Sequence, residues 1–485
     1  MATKMSRRAV MRGIGAMSVG SIAALSAACG ATPTPEVKVV TQIVAATPQI
    51  VEKEKVVTQI VAGTPQIVKE TVIVEKQVAV TATTQPVTLT IWHHWGGTRE
   101  PLLKTALDDF SARNPGVTVE PTLIPWDNKE QTILTAVGAG EGPDVLMLNA
   151  SEMPPYALNK TILSIDDLVA QAGISADEVY AADWTMAQFE GKTWGLPQTV
   201  GGAANLLFFN KQHFEEVGLD PAAPPVTWAD LRQVTKSLLV KQGDKIQRLG
   251  LLVGATGWTW LNFLAENEAI WLSEDGRKVQ MDNASAVEAL QFIVDLTDMQ
   301  GGAEQVAGFV SAGGEADPFY SGRTAMTYQG VWNYYLLQTN APKLQYGSAL
   351  APNNKGKWHE GDYGPHLWTL LATGKHVPQA WALAMWMSRG NGGCQFLAAQ
   401  LRPSPWKACN EQSALAKLAP YWPVVEAALN SARPEPRTPL FNQFLSIWDE
   451  MLDKATHHQS DAAATITWAT DAMTKANDEF WQKHS

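Results

Sequence analysis

The sequence predicts an α/β fold with extra helix at its C-terminus. Three observations carry that reading: β-rich runs alternate with helix-spaced apolar residues from about position 87, Gly and Pro punctuate them, and the last 45 residues are helical in pattern. Residues 87–92 (Val-Thr-Leu-Thr-Ile-Trp) alternate and read as a strand. Leu102, Leu103, Ala106, Leu107 and Phe110 follow at helical spacing, stopped by Asn114-Pro115-Gly116. Residues 117–120 make a second strand, Ile133, Leu134 and Val137 mark a second helix, and residues 145–148 make a third strand. A β-α-β-α-β order calls for a parallel sheet with right-handed crossovers. Further on, residues 206–209 (Leu-Leu-Phe-Phe) read as a strand, and Thr227-Trp228-Ala229-Asp230 as an N-cap opening a helix through Leu231, Val234 and Leu238. Ser285-Ala286-Val287-Glu288 reads the same way for a helix through Leu290 and Ile293. At the end, Phe444, Ile447, Trp448, Met451 and Leu452 share one helical face, and Ile466, Ala469, Met473 and Phe480 another.

Two different segments precede this body. The start carries Arg7, Arg8 and Arg12, then a weakly apolar run ending Leu25-Ser26-Ala27-Ala28-Cys29. A basic region, a short apolar run and small residues before a break form an export signal, assigned to residues 1–28. The uncharged run covers only residues 13–29, below the ~20 that a membrane helix needs. The paired arginines resemble a twin-arginine signal, and the small residues before Cys29 resemble a lipobox, which implies lipidation of Cys29 as the new N-terminus. Leu25 stands four residues before that Cys where the pattern has three; the alternative is an ordinary cleaved signal with an incidental Cys. Residues 29–86 then read as a flexible Val/Thr-rich stalk, in which residues 39–51 recur almost unchanged at 56–68, a period of 17. Two copies without an aromatic residue are too few to bury a core, and a coil of this length spans on the order of 40 Å. The β-branched runs keep strand pairing, within or between chains, as the alternative.

Of 485 residues 45% are hydrophobic and 18% charged, enough for a large core in two to three domains. The net charge is −11, and removing the four leader cations takes the chain from Cys29 onward to −15. Such a chain has no cationic surplus for phosphates, so nucleic acid is excluded as a partner. Cys394 and Cys409 lie close in sequence and, after export, in an oxidising compartment. They are expected to pair; the alternative is two buried thiols.

At this level four stretches resemble the extracellular solute-binding proteins of ABC importers, the cluster that includes sugar- and maltodextrin-binding proteins. They are Leu89-Thr90-Ile91-Trp92-His93-His94-Trp95; Phe110 to Val119 with Ala139-Gly140-Glu141-Gly142-Pro143-Asp144-Val145; Leu207-Phe208-Phe209-Asn210-Lys211 with Val217-Gly218-Leu219-Asp220-Pro221 and Pro225-Val226-Thr227-Trp228; and Phe319 to Trp332, which carries Gly322, Ala325-Met326 and Gly330-Val331-Trp332. The resemblance implies a hinge-connected, two-lobe periplasmic-binding-protein-like fold of type 2. Lobe 1 would comprise residues 87–200 and 362–418, and lobe 2 residues 201–361 and 419–485. It implies a monomer that takes a carbohydrate ligand by lobe closure and hands it to the transmembrane permease subunits. The protein would act at the outer face of the cytoplasmic membrane, held by its lipid anchor, or in the periplasm.

Nineteen tryptophans supply the faces such a ligand needs, since sugar C–H faces stack on indoles while hydroxyls seek polar partners. Ligands of open α/β sheets bind beyond the carboxyl ends of strands, which selects Trp92, His93, His94 and Trp95 after the first strand, and Asn149 and Glu152 after the third. Trp258 and Trp260 alternate, so one of them faces the cleft if the segment is extended. Trp332 matches the family's stacking Trp and is the leading candidate. Tyr363 and Trp368, with His366, follow near the second hinge crossing. Trp381 and Trp386 sit in an apolar run that reads as buried helix. An acidic contact of maltodextrin binders has no counterpart at Gly201-Gly202-Ala203-Ala204-Asn205, which puts maltodextrin in doubt and makes Asn205 a candidate.

No cofactor, metal site or catalytic residue is expected. There is no Gly-x-Ser-x-Gly elbow, phosphate loop or His-Glu-x-x-His, and the adjacent pairs His93-His94 and His457-His458 make poor chelates of one ion. The alternatives are a secreted glycoside hydrolase with a carboxylate pair across the cleft, and a surface adhesin with no transport role.

Overall fold

A computed structural model describes residues 50–61, 64–75, 86–126, 129–254, 256–314, 316–355, 360–362, 364–411 and 420–484. Cys29 and Tyr363 lie outside the described residues. The chain divides into two compact units, Met1–Thr83 and Thr84–Ser485. In the first, the backbone of Ile50–Val61 pairs antiparallel with Thr64–Glu75, from Ile50 opposite Glu75 to Val61 opposite Thr64. Where a flexible coil is expected, this stretch is therefore a ribbon, the pairing that its β-branched runs favour. A two-stranded ribbon has only edge strands, which is why Pro65 is tolerated in it.

The second unit is built on two five-stranded sheets. In the first sheet Val117–Leu123, Val87–His93 and Val145–Asn149 run parallel in that order, as the β-α-β-α-β pattern requires. The intervening helices are Glu100–Arg113 and Lys129–Gly138. Asn114 ends the first of them, its Nδ2 donating to the Phe110 carbonyl at 2.8 Å. Two strands from later in the chain complete the sheet: His366–Leu370, antiparallel to Val145–Asn149, and Leu196–Pro197, antiparallel to His366–Leu370. The second sheet orders Val240–Gln242, Lys245–Leu252, Thr324–Gln329, Leu206–Asn210 and Tyr346–Ala349.

Alternation along the central strands decides the layers. Val145 and Met147 pack into one apolar cluster, Leu146 and Leu148 into another on the opposite face. Leu207 and Phe209 likewise face one cluster while Leu206 and Phe208 face another. Both strands are buried throughout, as strands covered on two faces must be. Each lobe is thus a sheet with a core on either side. The chain passes from the first lobe's cores to the second's between Leu196 and Val200, returns between Ala349 and Leu367, and leaves again between Cys409 and Val425. Leu401, in the segment between, packs with the second lobe's core. Glu360–Asp362 and Ala432–Pro434 pair parallel where crossings meet.

Thr227 and Asp230 form a full capping box on Trp228–Leu238, as the sequence indicates. The cap of Ala284–Gln300 is Asn283 and not Ser285: the Asn283 side chain accepts from Ala286 N. The C-terminal helices Phe441–Thr456 and Ala462–His484 bury Phe444, Trp448, Met451, Leu452, Ile466, Ala469 and Met473 against the second lobe, with Trp448 edge-on to Trp271 at 5.0 Å. Phe480 stays at the surface side of that face, stacked on His484 at 4.1 Å. Among the described residues no helix is long and apolar enough to cross a membrane.

Candidate functional site

A cavity of about 570 Å³ lies where the crossings bring the lobes together, inside the range of about 300–1,000 Å³ usual for small-molecule sites. The first lobe contributes His94, Trp95, Arg99, Trp126, Asn149 and His366, and the second Asn205, Trp258, Tyr328, Gln329 and Trp332; Arg402 lies at their junction. Hydrogen bonds link the lobes beside it. Tyr335 donates its hydroxyl to the Thr98 carbonyl at 3.3 Å, and Asn442 donates its amide to Glu130 at 2.8 Å.

The end of the first strand divides its four candidates by pleat and by turn. Trp92 packs against the core under the sheet, and His93 is buried, its Nδ1 accepting from Trp95 N at 3.1 Å. Neither lines the cavity. Burial first, then neighbouring His94, pushes His93 down to about 4, so it is a neutral structural acceptor. His94 and Trp95 do line the cavity. His94 donates Nδ1–H to the Ile124 carbonyl at 2.8 Å, which fixes the tautomer and leaves Nε2 as an acceptor without a partner. Its pKa is also lowered, by burial above all. Trp95 is buried with no partner for its Nε1–H.

After the third strand, Asn149 reaches the cavity but its side chain is committed. Its Oδ1 accepts from Ser151 N at 2.9 Å and its Nδ2 donates to the Gly364 carbonyl at 3.1 Å, tying strand end to hinge crossing. Glu152 does not line the cavity. It forms a buried ion pair with Lys129 at 2.7 Å, and Lys129 Nζ sits 3.0 Å from the centroid of the Trp126 ring. Glu152 thus acts at one remove, by holding the cation beneath an indole that is 42% exposed at the cavity.

In the second lobe, Gly257-Trp258-Thr259-Trp260 is not extended. It opens the helix Gly257–Glu266, capped by Thr256, whose side chain accepts from Thr259 N. Helical geometry sends Trp258 to the cavity and Trp260 into the core, where it is fully buried. Asn205 lines the cavity, with Nδ2 donating to buried Glu266 at 3.3 Å. Trp332 lines it too, its Nε1 donating to Gln329 Oε1 at 3.3 Å. The ring lies back over Gly330, where a Cβ would stand 2.1 Å from the indole; only Gly allows that approach. Trp368 is a correction: two residues further into the strand than cavity-lining His366 and on the same face, it is buried in the first lobe's core, with Nε1 donating to the Met387 carbonyl at 3.2 Å. Trp381 and Trp386 pack on the same core, as the run predicts.

Sequence reasoning misses Trp126, Arg99, Tyr328 and Arg402. Trp126 follows the second strand, where the rule applied to the first and third strands points to it equally. The arginines carry no periodic or motif signal. Tyr328 presents a buried hydroxyl with no partner, its pKa raised well above normal by burial and by Glu266. Burial, then Arg402, pushes His366 well below its ordinary value, so both cavity imidazoles are neutral. The cavity therefore offers indole faces from both lobes, neutral acceptors and donors between them, and two guanidinium groups. Among the described residues no His/Cys/Asp/Glu group is arranged to hold a metal ion.

Residues 96–389 match the bacterial extracellular solute-binding protein family. The sn-glycerol-3-phosphate-binding periplasmic protein UgpB of Escherichia coli O1:K1 is 27% identical over 288 residues, 56% of this chain and 63% of that protein. The chain thus spans less than two thirds of the curated relatives it matches. The fold is similar to CpMnBP1 with mannotriose bound (TM-score 0.70, 21% identity, 79% of this chain and 99% of that one). It is also similar to the sugar-binding protein MalE from Xanthomonas citri (TM-score 0.68, 20% identity, 82% and 99%).

Proposed function

The chain belongs to the bacterial extracellular solute-binding protein family, and from that premise we propose that it is the receptor of an ABC importer that captures a carbohydrate and delivers it to the permease. The observation that carries the ligand class is the placing of indoles on both sides of one cavity: Trp126 from the first lobe, Trp258 and Trp332 from the second. Sugar rings stack on such faces, while hydroxyls find His94 Nε2, the Tyr328 hydroxyl and the Gln329 amide. The ligands named for the relatives, a glycerol phosphate and a mannose trisaccharide, are both polyhydroxylated, which supports the class. His94, Trp126, Trp258 and Trp332 are proposed as direct contacts, with Trp95 packed beneath Arg99 and Arg402, and Asn149 and Asn205 positioning the crossings. Lobe closure commits the ligand, and no bond is made or broken.

Thermal shift against mono- and oligosaccharides and polyols tests this. A ligand at a hundred times its Kd stabilises by about 2.7 kcal/mol, and a selective shift with one sugar class is expected. Release of fragments from an oligosaccharide, with no shift, would replace the receptor by a hydrolase. Trp332→Ala is expected to weaken binding by about 1–3 kcal/mol through lost stacking area; unchanged affinity by calorimetry removes this ring from the site.

We also propose export with residues 1–28 as signal, lipidation at Cys29, and a tether formed by residues 29–86. Mass spectrometry of the exported protein is expected to find a diacylglyceryl group on Cys29 as the first residue. An unmodified N-terminus elsewhere would leave the body unanchored.

A further inference from the structure

Among the described residues, two cations face the cavity without a counter-charge. Arg402 is 5% exposed, lines the cavity, and its Nε has no hydrogen-bond partner. Its guanidinium carbon lies 5.1 Å from the Trp95 ring centroid and 5.7 Å from that of Trp332. Arg99 stands over the same Trp95 ring at 5.4 Å, and its Nε donates only to the Gly96 carbonyl at 3.3 Å. Neither arginine is in an ion pair among the described residues, and no Asp or Glu is among the described residues lining the cavity. The two carboxylates adjoining its wall are already engaged, Glu152 with Lys129 and Glu266 with Asn205 and Trp228.

Taking a guanidinium out of water beside another cation costs far more than two ring faces return. The strain is visible in Arg402, which burial, reinforced by Arg99, pushes down to about 9. The backbone is constrained here too, since Leu401, immediately before Arg402, holds a left-handed φ of 54° that a branched side chain disfavours. An arrangement this unfavourable makes sense if a negative charge arrives with the solute.

We infer that the solute is anionic: a carbohydrate or polyol bearing a carboxylate or phosphate, whose oxyanion is bound by Arg402 with Arg99. The inference rests on the carbohydrate-receptor reading above. Guanidinium forks match both oxyanions, and charge-assisted hydrogen bonds in a dry site favour the acid over its neutral parent. Binding would neutralise the cations and remove their mutual repulsion, so it would also favour lobe closure.

Calorimetry on the full exported chain at low salt, with wild type and Arg402→Gln, tests it. Glucuronate, galacturonate, glucose 6-phosphate and glycerol 3-phosphate are compared with glucose, galactose and glycerol, and inorganic phosphate and acetate serve as bare anions. The expected result is that an acid binds at least about 10-fold tighter than its neutral parent, and that Arg402→Gln removes the difference. Uronates or phosphates alone responding identifies which oxyanion is carried. Neutral sugars binding as tightly as their acids would overturn the inference and leave the receptor reading standing. Bare anions binding with no carbohydrate response would keep the anion site and overturn the carbohydrate class. Silence across the panel would overturn both. If Arg402→Gln fails to fold, the wild-type acid-to-neutral ratio alone decides.

Discussion

Lys129→Met is expected to destabilise the folded protein by about 3–5 kcal/mol, the cost of leaving a buried carboxylate without its cation. The Lys129 and Glu152 side chains are only 11% and 8% exposed, with N and O 2.7 Å apart. Burial pushes Lys129 down and Glu152 up, each toward its uncharged form, and each is held charged by the other. With the lysine gone, Glu152 escapes by taking a proton. Its folded pKa is raised above its unfolded value, so protonation stabilises the variant fully below the ordinary carboxylate pKa and that contribution is lost as pH rises through the folded value. The deficit against wild type should therefore narrow as pH falls from 7 toward the ordinary carboxylate range. Denaturant titrations at several pH values check this, with Lys129→Met/Glu152→Leu expected to recover most of the loss. A small, pH-independent deficit would mean that water reaches Glu152. Ligand binding should suffer as well, because the Trp126 ring loses the ammonium beneath it.

That pair also shows what the sequence can and cannot disclose. Glu152 is found by its place after a strand end, yet the same place does not say whether the side chain meets ligand or lysine. Local periodicity locates strands, helices and their order well: Val87–His93, Val117–Leu123 and Val145–Asn149 lie as read, in a parallel array. Non-local pairing is beyond it. His366–Leu370 enters the first sheet antiparallel to Val145–Asn149 from more than two hundred residues away, with His366 at the strand end that meets the cavity and Trp368, on the same face but two residues further in, buried in the core. Short aromatic runs are ambiguous for a different reason. Gly257-Trp258-Thr259-Trp260 alternates like a strand, and only the cap at Thr256 distinguishes it as a helix start. Arg402 has no local signal at all, because the non-local packing of its neighbour Leu401 against the second lobe brings it to the cavity.

A cross-link yields the second large effect. The disulfide joins Cys394 and Cys409, 15 residues apart, and the loop it closes carries Arg402. Replacing both by Ser should cost about 3 kcal/mol, because a cross-link of this span mainly restricts the unfolded chain. The native loop has further anchors. Trp406 Nε1 donates to the Pro197 carbonyl at 2.9 Å and to Ser388 Oγ at 2.8 Å, and Asn410 Oδ1 accepts from Ser404 N at 2.8 Å. These bonds should keep Arg402 in place once the protein is folded. Cys394→Ser/Cys409→Ser is therefore expected to lower the unfolding midpoint sharply while ligand affinity falls by less than about threefold, since the interactions that position Arg402 survive. Arg402→Gln should show the converse, lost affinity with stability retained or raised, because it removes a buried unpaired charge. An affinity loss in the double Ser variant as large as that of Arg402→Gln would reverse the assignment: the cross-link would then be what aims Arg402 at the solute.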